Sequence, residues 1–116
     1  MTVHVETDGE LTVIRPEVAY LDASTARGLR REVVGRVPRG ARAILDLSDV
    51  VFVDSTGCGA ILACLKHVHA EPNGPGELKV CTSAPAVRAL FEMVRLQKII
   101  EVHNTRDEAV RSYRVA

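Results

Sequence analysis

Residues 43–68 read AILDLSDVVFVDSTGCGAILACLKHV. The segment opens with an apolar run suited to a buried strand and closes with Ile61, Leu62, Leu65 and Val68 at helical spacing. Between them stands Asp54-Ser55-Thr56-Gly57-Cys58-Gly59, which predicts a strand-to-helix turn with two hydroxyls at the helix start. Ser55 or Thr56 can accept backbone N–H bonds there, and the two glycines let the backbone bend or let another surface come close. The first amides of the helix and its dipole give this spot a partial positive charge, so it tolerates an anion. Any chemistry in the chain is expected at this turn.

Upstream, Val3 and Val5 alternate with Thr2, His4 and Glu6, Asp8-Gly9 makes a turn, and Leu11, Val13 and Ile14 resume an apolar strand. This predicts a hairpin over about residues 2–7 and 10–15, with Pro16 limiting its second strand. Pro16 to Leu21 reads as an ordered loop in which Tyr20 packs. Asp22 is placed to cap a helix with Ala26, Leu29, Val33 and Val37 on its apolar side. Arg27, Arg30, Arg31 and Glu32 form its wet side, and it ends near Pro38 and Gly40. Ala43 to Leu47 is the central strand, Val50 to Val53 an apolar approach to the turn, and the next helix covers about residues 56–70.

Downstream, Glu71 to Gly76 reads as a turn, and Leu78, Val80 and Cys81 as a strand. Ser83 is placed to cap a helix bearing Val87, Leu90, Phe91 and Val94, with Pro85 in its first turn. Ile99 to Val102 is the last strand. Thr105-Arg106-Asp107-Glu108 has the form of a capping box, opening a helix over about residues 106–114 that is apolar at Ala109, Val110 and Tyr113. The order β-β-α-β-α-β-α-β-α makes residues 1–116 one α/β domain: a mixed, mostly parallel sheet of about five strands with four helices. Right-handed crossovers then put the Ser-Thr turn at the carboxyl end of a strand, where open α/β sheets place their sites.

Composition narrows the function. Apolar residues make up 47% of the 116 and aromatics only 3%, so the core must be aliphatic. Fifteen basic and 15 acidic residues cancel to a formal net charge of zero, which offers no long-range field for nucleic acid or an anionic membrane. The aromatics Tyr20, Phe52, Phe91 and Tyr113 are dispersed, with no stacking platform. Cys58, Cys64 and Cys81 form neither a disulfide framework nor a paired metal motif. No window approaches about 18 uninterrupted apolar residues, and the start has no signal-peptide pattern. A reduced, cytoplasmic, soluble protein without membrane insertion is expected.

An enzyme would need a base for Ser55, and His4, His67, His69 and His103 are all remote from it in sequence. Gly57-Cys58-Gly59 falls short of a dinucleotide fingerprint and no phosphate-binding loop with its lysine is present, so no cofactor is expected. His67-x-His69 reads as a solvent-side pair near a helix end rather than a metal site. Cys64 and Cys81 read as core, and Cys58 as a packing or contact residue in the first helical turn. What remains is a hydroxyl-bearing surface backed by a rigid strand and helix. Such a surface can dock a partner, and a phosphate of charge about −1.5 to −2 on Ser55 could switch that docking without unfolding the domain. Equally, Ser55 could serve only as the helix cap.

The pattern resembles the STAS domain family, most closely the bacterial anti-sigma factor antagonists. The resemblance runs through the leading strand pair, Leu21-Asp22-Ala23, Leu45-Asp46-Leu47-Ser48, Val53-Asp54-Ser55-Thr56-Gly57-Cys58-Gly59, Pro85-Ala86-Val87-Arg88 and Leu96 to Val102. It implies that Ser55 is phosphorylated by an anti-sigma factor that is also an ATP-dependent serine kinase, and that a phosphatase reverses this. Unmodified protein would bind the anti-sigma factor and release the sigma factor. Asp54 would present Ser55, Thr56, Gly57 and Cys58 would line the contact, and Asp22 would form its second part. Two departures stand out: Arg15 to Asp22 replaces the family's Gly-Glu/Asp-Leu-Asp-like approach, and Cys58 replaces a larger aliphatic residue. The resemblance also admits an accessory STAS subunit that binds the cytoplasmic ABC ATPase of a lipid-transport system.

Overall fold

The first two strands, β1 (Val3–Asp8) and β2 (Leu11–Pro16), pair antiparallel with Asp8 opposite Leu11, leaving Gly9 and Glu10 as the tip. Gly9 has φ of 63°, the conformation that the first position of a type II′ hairpin turn requires. The computed structural model describes residues 1–70, 74 and 76–114. Most of the turn expected over Glu71 to Gly76 lies outside them.

β2 is followed by the two-residue strand β3 (Tyr20–Leu21), helix α1 (Ala26–Arg36), β4 (Arg42–Asp46) and a second two-residue strand, β5 (Phe52–Val53). Helix α2 (Ser55–Val68), β6 (Glu77–Cys81), α3 (Pro85–Met93), β7 (Glu101–His103) and α4 (Arg106–Arg114) complete the order. The main sheet runs β1-β2-β4-β6-β7, parallel throughout except for the hairpin, while β3 and β5 form a small parallel sheet of their own. This is the expected five-stranded mixed sheet with four helices.

Each parallel crossover advances in the same direction along the sheet, so crossovers of one hand must stack α1, α2 and α3 on one face. The burial pattern agrees. Ile14, Ala43, Leu45, Leu78 and Val80 share a core with Leu29 and Val33 of α1, Ile61 and Cys64 of α2, and Val87 and Phe91 of α3. The alternate positions Leu11, Val13, Ile44 and Cys81 point to the opposite face, where Ala109 and Val110 of α4 cover them. That second face is more polar: buried Lys79 donates to Ser112 Oγ at 2.7 Å, lies 3.2 Å from Glu101 and sits over the Tyr113 ring.

Three local expectations are corrected. Ser83 does not cap α3: Pro85 opens the helix and forces the residue before it to be extended, so Ala84 takes the cap position. Thr82 Oγ1 accepts the Ala84 N–H at 3.2 Å. The last strand begins at Glu101 rather than Ile99, because the chain leaves α3 through Arg95 at φ 60° and a short 3₁₀ turn, Leu96–Lys98, before it pairs with β6 as β7. Ile100 is buried just outside the strand and Ile99 is exposed. Tyr20, expected to pack, is 57% exposed, since in β3 it is Leu21 that points inward.

Candidate functional site: the start of helix α2

The small sheet brings two acidic residues side by side. β3 and β5 pair with Tyr20 opposite Phe52 and Leu21 opposite Val53, so Asp22 and Asp54 both follow at the same end. Leu21 and Val53 are buried while Tyr20 and Phe52 face outward, their rings edge to face at 6.2 Å between centroids. The Asp54 N–H donates to the Leu21 carbonyl at 3.2 Å, locking the two turns together.

Asp54 is the N-cap of α2. Its Oδ1 accepts the Gly57 N–H at 2.9 Å and its carbonyl accepts the Cys58 N–H at 2.9 Å. A carboxylate in this position satisfies an otherwise orphaned donor and complements the helix dipole. Ser55 is therefore the first residue inside the helix and not its cap. Ser55 and Thr56 are both exposed, and neither hydroxyl has a hydrogen-bond partner among the described residues.

Gly57 is required by packing. A Cβ at this position would lie 2.2 Å from the Leu21 carbonyl oxygen and 2.8 Å from a Val53 methyl. The close approach of α2 to the β3 turn thus depends on the missing side chain. Cys58 lies on the inner side of α2, 7% exposed, and burial, with the Asp54 carboxylate second, pushes its thiol above its ordinary value. The helix start does not generate a thiolate here. Gly57 and Cys58, expected to line a contact, lie beneath the exposed pair Ser55 and Thr56 rather than beside it.

Asp22 does not cap α1. The helix begins later, at Ala26, with Thr25 in the cap position. Asp22 instead builds the preceding turn. Its Oδ1 accepts from Ser24 Oγ at 2.6 Å and from the Ser24 N–H at 2.9 Å, and these bonds hold its carboxyl below the usual value. The backbone carbonyl of Asp22 accepts the Ala26 N–H at 2.8 Å.

Among the described residues no His, Asp or Glu side chain hydrogen-bonds to the Ser55 hydroxyl. Asp54 is engaged as the cap, and His67 lies twelve residues along the same helix, about 18 Å away at 1.5 Å per residue. His67, expected on the solvent side, is half-buried; its Nε2–H donates to the Val37 carbonyl at 2.6 Å, tying the end of α2 to the chain after α1. Among the described residues no group of three or more His, Cys, Asp or Glu side chains could hold a metal ion, and no helix is long and apolar enough to cross a membrane. The aromatic pair at the site edge was missed in sequence. The signal was available: if Leu21 and Val53 turn inward, their strand neighbours must turn out.

The STAS domain family matches residues 2–109. The chain belongs to this family. Among its relatives are BtrV of Bordetella bronchiseptica, a candidate anti-sigma factor antagonist by name, and the anti-sigma-B factor antagonist of Bacillus subtilis. BtrV is 29% identical over 97 residues, covering 83% of this chain and 81% of its own. The B. subtilis protein is 28% identical over 103 residues, covering 88% and 92%. Solved structures of two further proteins are among those that share the fold. An anti-sigma factor antagonist from Mycobacterium paratuberculosis superposes with a TM-score of 0.82 at 24% identity, covering 98% of this chain and 94% of that one. SpoIIAA of Bacillus, solved unphosphorylated and phosphorylated, gives TM-scores of 0.66 and 0.63 at 21% and 22% identity. Those two matches cover 99% and 97% of this chain and 100% and 99% of SpoIIAA.

Proposed function

We propose that this STAS domain is an anti-sigma factor antagonist: it binds an anti-sigma factor so that the sigma factor is released, and phosphorylation of Ser55 ends that binding. The observation that carries the reading is the free, exposed hydroxyl of Ser55 on the first residue of α2, left open because Asp54 supplies the cap. The family, the names of its relatives and the existence of SpoIIAA in both phosphorylation states support it. The anti-sigma factor is then itself the serine kinase and uses ATP, and a phosphatase resets the switch. Asp22, Asp54, Ser55 and Thr56 form the docking rim, with Gly57 and Cys58 holding it in place from beneath.

The chemistry of the switch follows from charge. A phosphate adds about −1.5 to −2 units and three strong acceptors at a helix start, where the dipole tolerates them. A partner surface closed over Ser55 would have to desolvate that dianion, so the complex weakens while the domain stays folded. The test is incubation with the anti-sigma factor kinase and ATP, followed by peptide mass analysis and titration of the partner. One phosphate on Ser55 is expected, none on Ser55→Ala, with Ser55→Asp losing affinity for the kinase. Wild type left unmodified, or Ser55→Asp binding as tightly as wild type, overturns the reading. Copurification with an ABC-type ATPase in place of an anti-sigma factor overturns it in favour of a transport subunit.

A further inference from the structure

Beside Ser55, helices α1 and α2 part to leave a groove of about 340 Å³. Arg27 and Arg30 form one wall, and Thr56, Gly59 and Ala63 the other. Both arginines are exposed, and neither has a hydrogen bond or ion pair among the described residues. On the same helix, Arg36 is tied down twice, by the Val3 carbonyl at 2.7 Å and by Glu32 at 3.7 Å. Among the described residues no acidic side chain lines the groove, and neither arginine has an ion-pair partner there.

Gly59 is the second observation. A glycine inside a helix costs stability relative to alanine, and a close contact usually explains it, as the Leu21 carbonyl explains Gly57. At Gly59 an added Cβ would meet nothing within 4 Å. Gly35 of α1, outside the groove, is equally open, so openness alone does not call for a partner; at Gly59, on the groove wall, it leaves room for a backbone to cross.

We propose that the α1–α2 groove seats an acidic segment of the anti-sigma factor, with carboxylates on Arg27 and Arg30 and its backbone against Gly59. This deepens the function proposed above and rests on it. It also gives the switch a direction. Ser55 adjoins Thr56 at the mouth of the groove, so a phosphate there repels the incoming carboxylates and competes with them for the guanidinium groups.

The experiment is calorimetric titration of the purified anti-sigma factor kinase into the full chain, as wild type, Ser55→Asp, Arg27→Glu/Arg30→Glu, Arg27→Gln/Arg30→Gln and Gly59→Ala. Thermal melts of each variant confirm folding. Charge reversal should weaken binding about tenfold or more, the glutamine pair less, and both should flatten the salt dependence. Gly59→Ala should raise the melting temperature of the free chain yet weaken the complex about fivefold or more, since an added methyl at a packed contact is poorly tolerated. If Ser55→Asp loses affinity while both arginine pairs bind as wild type, the groove assignment is overturned and the function stands. If Gly59→Ala binds as wild type, no backbone crosses there and the seating is overturned. If wild type and Ser55→Asp bind alike, the function fails and the groove with it. Self-association of the chain that charge reversal abolishes would place a second copy in the groove and also overturn the proposal.

Discussion

Helices α2 and α4 start with hydroxyl residues that look interchangeable in sequence, yet the structure uses them in opposite ways. At α4 the hydroxyl is engaged: Thr105 Oγ1 accepts the Glu108 N–H at 3.1 Å, and Glu108 reaches back to the Asn104 N–H at 3.3 Å. At α2 the carboxylate of Asp54 does that work and Ser55, one residue later, is left free. The start of α1 falls with α4, since Thr25 Oγ1 accepts from the Asp22 N–H at 3.0 Å and donates to the Tyr20 carbonyl at 2.8 Å. A one-residue offset from the cap therefore separates a structural hydroxyl from an available one.

The most severe way to break this contrast is Gly57→Ala. Its Cβ would collide with backbone rather than with a side chain that can swing aside, at 2.2 Å from the Leu21 oxygen. Either α2 shifts or the β3 turn opens, at a cost of about 1–3 kcal/mol or more. The expected result is a melting temperature lower by several degrees, together with loss of the Ser55 presentation; an unchanged melt would mean that α2 does not press on β3 as described. Next come the caps. Asp54→Ala and Thr105→Ala should each cost about 1 kcal/mol, a few degrees in melting temperature. Only Asp54→Ala should also slow phosphorylation of Ser55, and Asp54→Asn should restore much of the stability because an amide oxygen still caps.

The fold was legible because its signals are local and agree with one another. Asp8-Gly9, the helical spacing of Ile61, Leu65 and Val68 and the turn chemistry at 54–57 all point to one topology, although Leu62, read with them, is exposed. The site was legible as a place but not in its bonding. Whether Asp54 or Ser55 caps depends on one residue of helix offset, which periodicity does not resolve. Ser83 fails as a cap for the same reason, Asp22 fails because the cap position of α1 falls three residues later, at Thr25, and the Tyr20–Phe52 pair is visible only once β3 and β5 pair across thirty-odd residues. The groove with Arg27 and Arg30 lies between two helices, and no single stretch of sequence encodes it.

Ser55→Ala sharpens the contrast from the other side. Removing a hydroxyl with no partner at an exposed position should change stability by no more than about 0.5 kcal/mol, whereas Thr105→Ala costs about twice that or more. Thermal melts of the two variants side by side decide it. A large loss in Ser55→Ala would mean that the hydroxyl helps to cap α2 after all.

The smallest expected effect concerns Asp22, which supports the α1 start without capping it. The bonds from Ser24 hold its carboxyl below the usual value in the folded chain, so the folded state releases this proton more readily than the unfolded state does. The stability it contributes is then fully present above the ordinary carboxyl range, near pH 4, and is lost as the pH falls through the lowered folded value. In Asp22→Asn nothing titrates, while the amide oxygen can still accept the Ser24 N–H. Denaturant midpoints followed from pH 5 down to pH 3 should therefore fall less steeply in Asp22→Asn than in wild type. Parallel curves would show that Ser24 orders the turn without favouring the charged form, and the α1 start would then owe its shape to Thr25 alone.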